Sequence, residues 1–232
     1  MEVLGLSVAG PKSRDALQPL VDRDLSTATF PFLSFAQMNV GMIPARVGRV
    51  SFTGELGYEL WVAPEYLRAL YDLLHAAGKP HGLRNFGGRA LNALRLEKSF
   101  GNWAREFRPI YGPYEAGLGR FVHLDKPNFI GKAAAVAEQA SGGARKLITL
   151  VVDADDADAI GDEPIWHGDQ VVGWVTSGGY GHTVGKSIAL GYVDKTVANE
   201  TTGFAVELIG ERQPAVRSAG ALVDPQGQRM RG

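Results

Sequence analysis

Between Arg49 and Leu60 the chain reads R-V-S-F-T-G-E-L-G-Y-E-L, two β-type segments hinged at glycine, with carboxylates at Glu55 and Glu59. If Gly57 to Val62 is a strand, its side chains alternate between faces, so Glu59 points one way while Tyr58 and Leu60 point the other. One face is then apolar and the other carries a carboxylate. Burying an unpaired carboxylate is expensive. The spacing alone therefore leaves two readings: a hairpin glutamate in solvent, or a carboxylate held for a ligand.

The surrounding pattern is mixed. Val3, Leu4, Leu6 and Val8 form a β-prone run that stops at Gly10-Pro11, and Ser13 opens a helix through Leu20. Gln37–Met42, Ala45–Phe52 and Gly57–Val62 read as successive strands broken at Gly41, Pro44 and Gly54. From Pro64 the apolar residues Tyr66, Leu67, Leu70, Tyr71, Leu73 and Leu74 fall at helical spacing, with Gly78 as a C-terminal cap. A second helix is expected from about Phe86 to Lys98, with Phe86, Leu91 and Leu94 inward. Trp103–Pro113 reads as a structured loop. After the alanine-rich run Lys132–Ala140 the pattern becomes almost purely β, with strands at Lys146–Val152, Gln170–Thr176, Ser187–Val193, Gly203–Ile209 and Gln213–Ser218. This predicts an α+β domain over residues 1–141 and a small β-barrel or sandwich over 142–232. The aspartates of Asp153–Asp162 lack the glycine turn and terminal glutamate of a calcium loop and read as a solvated loop.

Composition removes several function classes. Lys plus Arg number 24 against 25 Asp plus Glu, so nothing in the net charge of −1 favours a phosphate backbone or an anionic membrane. Cysteine is absent, which removes thiol nucleophiles, disulfides and Cys-ligated metals and fits a reducing, cytoplasmic setting. The five histidines show no H-x-x-x-H or H-E-x-x-H pairing, so no metal site is expected. Ser177-Gly178-Gly179-Tyr180-Gly181 lacks the spacing of a phosphate cradle and reads as a β turn. No G-x-G-x-x-G follows a strand, so any flavin or nicotinamide oxidation would occur on another chain.

Taken together, R-V-S-F-T-G-E-L-G-Y-E-L, G-P-K-S-R-D-A-L (Gly10–Leu17), R-A-L-N-A-L-R-L-E-K (Arg89–Lys98), W-A-R-E (Trp103–Glu106) and E-A-G-L (Glu115–Leu118) resemble the glycine-cleavage T-protein family. The likeness is greatest to the folate-binding module at the C-terminus of dimethylglycine and sarcosine dehydrogenases. It runs from Leu4 to the D-P-x-G-x-R-x-R ending (Asp224–Arg231). The resemblance implies a partial folate-binding domain followed by a C-terminal barrel, with tetrahydrofolate as cofactor. It also implies capture of a one-carbon unit from a methylated amine to give methylenetetrahydrofolate, beside a flavoprotein partner or in a homo-oligomer. A non-catalytic folate-binding or assembly subunit is the alternative. By the same likeness Glu59 faces the ligand cavity and accepts from pterin N–H groups, with Phe52, Arg95 and Trp103 as further cofactor-binding candidates; no catalytic residue is assigned. Arg95, Glu97 and Lys98 also read as plain surface charges on an amphipathic helix. Glu115 is expected to fix a strand entry, and Glu55 to serve its own turn.

Departures narrow the branch. Many folate-binding relatives have tyrosine where Phe52 stands, and one lost hydroxyl is worth roughly 0.5–1.5 kcal/mol of binding. The T-protein arginine on the second helix falls at Leu91 here, whereas the dehydrogenase-type R-A-x-N-x-x-R-L-E is matched in full. The iron–sulfur-repair branch uses a cysteine that this chain lacks. Family members carry a further segment before G-P-x-S-R-x-x-L, so the chain is expected to be a fragment, a subunit completed by a partner, or a decayed relative, with an open sheet edge.

Overall fold

A computed structural model describes residues 2–232. They form two compact units, one comprising the chain up to Leu94 with Gln226–Gly232, the other Arg95–Pro225. The expected domain limit at residue 141 is the last residue of a helix in the second unit.

The first unit contains β1 (Leu4–Ala9), α1 (Ser13–Leu17), β2 (Phe35–Val40), β3 (Ile43–Gly48), β4 (Gly57–Val62) and α2 (Leu67–Gly78). The division falls within α3 (Gly88–Glu97), after Leu94. The strands make one antiparallel sheet in the order β1-β4-β3-β2. Period-two alternation gives it a single apolar face: Val8, Ala45, Val47, Tyr58, Leu60 and Val62 are buried there against Leu17 of α1 and Leu70 and Leu74 of α2. Each fully buried leucine contributes about 1.5–3 kcal/mol. Truncating Leu60, at 0 % exposure, to alanine would cost about 2–5 kcal/mol. β2 and β3 join through Gly41-Met42, and Gly41 takes the positive φ of 60° that such a tight turn requires.

Several boundaries shift from expectation, among them the strand read as Gln37–Met42, which is Phe35–Val40, and two further shifts are instructive. The strand read as Ala45–Phe52 stops at Gly48, because the Arg49 side chain turns into the unit, fully buried, and donates to the carbonyls of Phe30 (2.8 Å) and Gly232 (2.6 Å). The second helix begins only after Gly87, and Phe86 lies outside it at 47 % exposure, since paired glycines delay helix formation.

The second unit holds α4 (Lys132–Ser141) and six strands, β5 (Arg145–Val152), β6 (Pro164–His167), β7 (Gln170–Gly181), β8 (Lys186–Asp194), β9 (Phe204–Leu208) and β10 (Glu211–Ser218). They close into an antiparallel barrel, β10-β5-β8-β7-β6-β9, filled by residues that include Leu150, Ile165, Val175 and Val206. A short α5 (Gln228–Arg231) follows in the first unit. β6 is absent from the sequence reading because four residues beginning at proline carry too little alternation. Ser177–Gly181, read as a turn, is the second half of β7; a bulge between Val175 and Ser177 resets the register.

Glu115 fixes the entry to β5 as expected. Its carboxylate accepts from the backbone N–H of Ala144 (2.7 Å) and Arg145 (3.0 Å). Burial raises the pKa of this carboxyl, but those amide bonds outweigh it and leave the pKa below the ordinary range.

Candidate functional site

The second face of the first unit's sheet lies opposite the apolar core, and it carries Glu59. Side chains on this face come from alternate positions: Gly5, Ser7 and Ala9 of β1, Gly57, Glu59 and Trp61 of β4, Arg46 and Gly48 of β3, Phe35 and Gln37 of β2. Register pairs Glu59 with Ser7 on one side and Gly48 on the other. The carboxylate thus stands between two of the smallest side chains available, in a depression rather than on a ridge.

Trp61 bounds that depression. A Cβ on Gly5 would lie 2.9 Å from the indole Cδ1, and one on Gly48 would lie 3.0 Å from Cζ3. Both glycines are needed for the indole to approach the backbone so closely. Phe35 follows, its ring centroid 6.1 Å from that of Trp61.

Glu59 is half-buried and accepts no hydrogen bond among the described residues. Desolvation pushes its carboxyl pKa up from the ordinary value, with no partner to pull it back. An acceptor of this kind gains from any donor that reaches it. Phe52 lies half-buried in the turn that precedes β4, where the Ser51 and Thr53 hydroxyls accept from the N–H groups of Gly54 (3.0 Å) and Glu55 (3.3 Å). Glu55 itself accepts from Arg229 at 2.8 Å, so its carboxylate anchors α5 instead of the turn it was expected to serve.

The other two candidates lie in the second unit. Arg95 is 3 % exposed, donates to the Phe100 carbonyl (3.0 Å), and pairs at 3.3 Å with Glu106, which is fully buried. Glu106 also accepts from Ser177 Oγ (2.6 Å) and the Asn102 N–H (2.7 Å). Glu97 accepts from the N–H of Thr183 at 2.5 Å, and Lys98 donates to the carbonyls of Val223 and Asp224. The R-L-E-K charges are therefore internal to their unit, and the surface-charge reading is corrected: Glu106, the loop at Thr183 and the Val223-Asp224 segment cover them. Trp103, by contrast, is 82 % exposed and meets Phe107 edge-on at 6.0 Å.

So the first unit brings Glu59 and Phe52 into neighbouring segments, while Arg95 and Trp103 belong elsewhere. Sequence reasoning passed over Trp61, Gly5, Gly48 and Ser7. Trp61 was legible as the i+2 neighbour of Glu59 on one strand face; the two glycines become meaningful only with the strand register. A cavity of about 650 Å³ also runs along the outer edge of β1, lined by Ser7, Lys12, Leu74, Leu83, Arg84 and Leu91 among others. In its wall Asn85 links His75 (2.8 Å) to the Tyr71 hydroxyl (2.8 Å).

Comparison with known proteins assigns this architecture. The GCVT N-terminal domain family matches residues 1–126, and the glycine cleavage T-protein C-terminal barrel domain family matches residues 145–224. The chain belongs to the glycine cleavage T-protein family. It is 45 % identical over 212 residues to the human protein named dimethylglycine dehydrogenase, mitochondrial, covering 91 % of this chain and 24 % of that protein. An aminomethyltransferase of Saccharopolyspora erythraea is 36 % identical over 212 residues, covering 90 % of this chain and 57 % of that one. The crystal structure of the aminomethyltransferase T of the Bartonella henselae glycine cleavage system superposes with a TM-score of 0.84 at 22 % identity, covering 97 % of this chain and 61 % of that chain, which establishes the shared fold. The chain thus spans about a quarter of the length of the dehydrogenase it resembles. No helix among the described residues is long and apolar enough to cross a membrane.

Proposed function

We propose that this chain is a tetrahydrofolate-dependent one-carbon transfer module of a dimethylglycine/sarcosine dehydrogenase-like system. Family membership supports a folate-related module, and the 45 % identity to a dimethylglycine dehydrogenase supports that branch. The observation that carries the reading is Glu59: a half-buried, desolvated carboxylate with no partner among the described residues, flanked by Ser7 and Gly48. That donor-seeking group fits a reduced pterin, whose 2-amino group and ring N3–H stand side by side as donors on one edge.

Tetrahydrofolate, when bound, supplies the nitrogen nucleophile that takes up a one-carbon unit. The chain's own contribution is to hold and to exclude. Glu59 accepts from the ring edge and fixes orientation, Phe52 offers an apolar wall, and the small side chain at Ser7 leaves room beside the carboxylate. Of the remaining candidates, Arg95 is engaged with Glu106, so its role is to position the barrel loops, while Trp103 offers an exposed indole. Rate enhancement in this reading comes from proximity between folate and the one-carbon donor, with water kept out. The donor is a methylated-amine-derived iminium or formaldehyde equivalent delivered by a flavoprotein partner, in a cytoplasmic setting.

The test is calorimetric titration with tetrahydrofolate. Charge-assisted hydrogen bonds are worth about 1.5–3 kcal/mol, so Glu59→Gln is expected to weaken binding by roughly one to two powers of ten. Glu55→Gln serves as the control, because Glu55 faces Arg229. Equal affinity in wild type and Glu59→Gln would remove the assignment.

A further inference from the structure

We propose that Trp61 is the stacking platform of the Glu59 site, presenting one indole face to the planar pyrimidine half of a reduced pterin whose N–H edge meets Glu59; this rests on the folate reading above. The argument starts from alternation. Glu59 and Trp61 are two residues apart on β4 and share the face opposite the apolar core. Same-face neighbours on a strand stand about 7 Å apart, a spacing at which one ring can stack on the indole and still offer its edge to the carboxylate.

The indole lies down against the sheet. The virtual Cβ positions of Gly5 lie 2.9 Å from Cδ1 and 3.2 Å from Nε1, and those of Gly48 lie 3.0 Å from Cζ3 and 3.1 Å from Cη2. Both ends of the ring system are thus in contact with backbone on the two strands that flank β4, which a side chain at either position would prevent. Held at both ends in this way, the ring system lies along the sheet, and Trp61 as a whole is only half-buried, which leaves ring surface for a ligand. Gly48 also stands directly opposite Glu59, so the benzo end of the indole reaches into the carboxylate's own row. Phe35, tilted by 43°, closes the far side and keeps the indole from sliding along the sheet.

The glycines have no other evident employment: neither Gly5 nor Gly48 has a positive φ, so conformational need does not place them. What they provide is room for an aromatic ring to lie flat. A platform beside an unpartnered carboxylate selects planar ligands with an N–H edge, and disfavours flexible or anionic-edged ones through repulsion from Glu59.

The experiment titrates the intact chain with tetrahydrofolate, following both heat and tryptophan emission. Ring stacking on an aromatic side chain is worth enough that Trp61→Leu is expected to lower affinity roughly five- to 150-fold. Trp61→Phe should fall between, and Gly48→Ala, which lifts the indole, should weaken binding with Trp61 still present. Quenching of emission on binding should shrink in Trp61→Phe and persist in Trp166→Phe, since Trp166 packs under Arg212 on the barrel. If Trp61→Leu and Trp61→Phe both bind as wild type while Glu59→Gln binds weakly, the platform is wrong and the folate reading stands. If wild type itself binds no tetrahydrofolate, both are overturned. Weak binding by the Trp61 variants with unchanged binding by Glu59→Gln also overturns the proposal, because the paired geometry is its content.

Discussion

Replacing Arg95 by methionine tests whether this arginine serves the fold or the ligand. Its guanidinium is 3 % exposed and lies 3.3 Å from Glu106, whose own side chain is fully buried. Desolvation pulls the Arg95 pKa down and Glu106 partly restores it, the signature of a charge held inside by one opposite charge. Methionine keeps much of the apolar stem and removes the cation. Glu106 would retain the Ser177 hydroxyl and the Asn102 N–H, and the Phe100 carbonyl would lose its donor.

Breaking one side of such a buried pair costs about 3–5 kcal/mol. For a chain of this size each kcal/mol moves the midpoint by about 2–4 °C, so Arg95→Met is expected to melt roughly 6–20 °C below wild type. Removing both charges in Arg95→Met/Glu106→Leu should recover much of that loss, because no uncompensated charge is left buried. Differential scanning calorimetry of the three proteins measures the cycle. A single variant within about 1 kcal/mol of wild type, or a double variant less stable than the sum of both singles, refutes the argument. Tetrahydrofolate titration below the variant's midpoint then separates the roles: unchanged affinity keeps Arg95 structural, and a large loss returns it to the ligand.

Two further outcomes follow from single side chains. The Glu59 carboxyl titrates above its ordinary value when folded, so its stabilising share is fully present below the unfolded pKa and is lost as pH rises through the folded one. Glu59→Gln should therefore melt higher than wild type at neutral pH, with the difference closing as the pH falls below about 4; a constant difference across that range would contradict the desolvation account. Glu97→Ala strands the N–H groups of Thr183 and Val184 beside a site that is 3 % exposed, and urea unfolding should show a loss of about 1–3 kcal/mol. Glu97→Gln, which keeps an acceptor, should lose less.

What was legible in the sequence divides along range of interaction. β1, β4 and α2 announced themselves because period-two and helical spacing are local, and the same alternation put Glu59 on the face away from Tyr58 and Leu60. Motif likeness carried the fold and the barrel, and it located Glu115 at a strand entry. What stayed hidden was set by partners far along the chain. Arg95, on a ten-residue helix, and Lys98, just past its end, look like surface charges until Glu106 and the Val223-Asp224 backbone are brought against them. Trp103, a cofactor-binding candidate by likeness alone, is 82 % exposed, with an edge contact to Phe107.

The glycines make the same point at the site. Gly5 and Gly48 are 43 positions apart and separately unremarkable; only the pairing of β1 and β3 to either side of β4 turns them into a floor for Trp61. An aromatic ring on that floor is a property of sheet register, which one substitution of either glycine would remove without touching a single motif residue. The motif residue Glu59 supplies charge, whereas the shape around it is supplied by positions that no motif marks. If Glu59 and Trp61 form the proposed site, its shape rests on register and not on the motif string, and Gly48→Ala is expected to weaken tetrahydrofolate binding while leaving every motif residue in place.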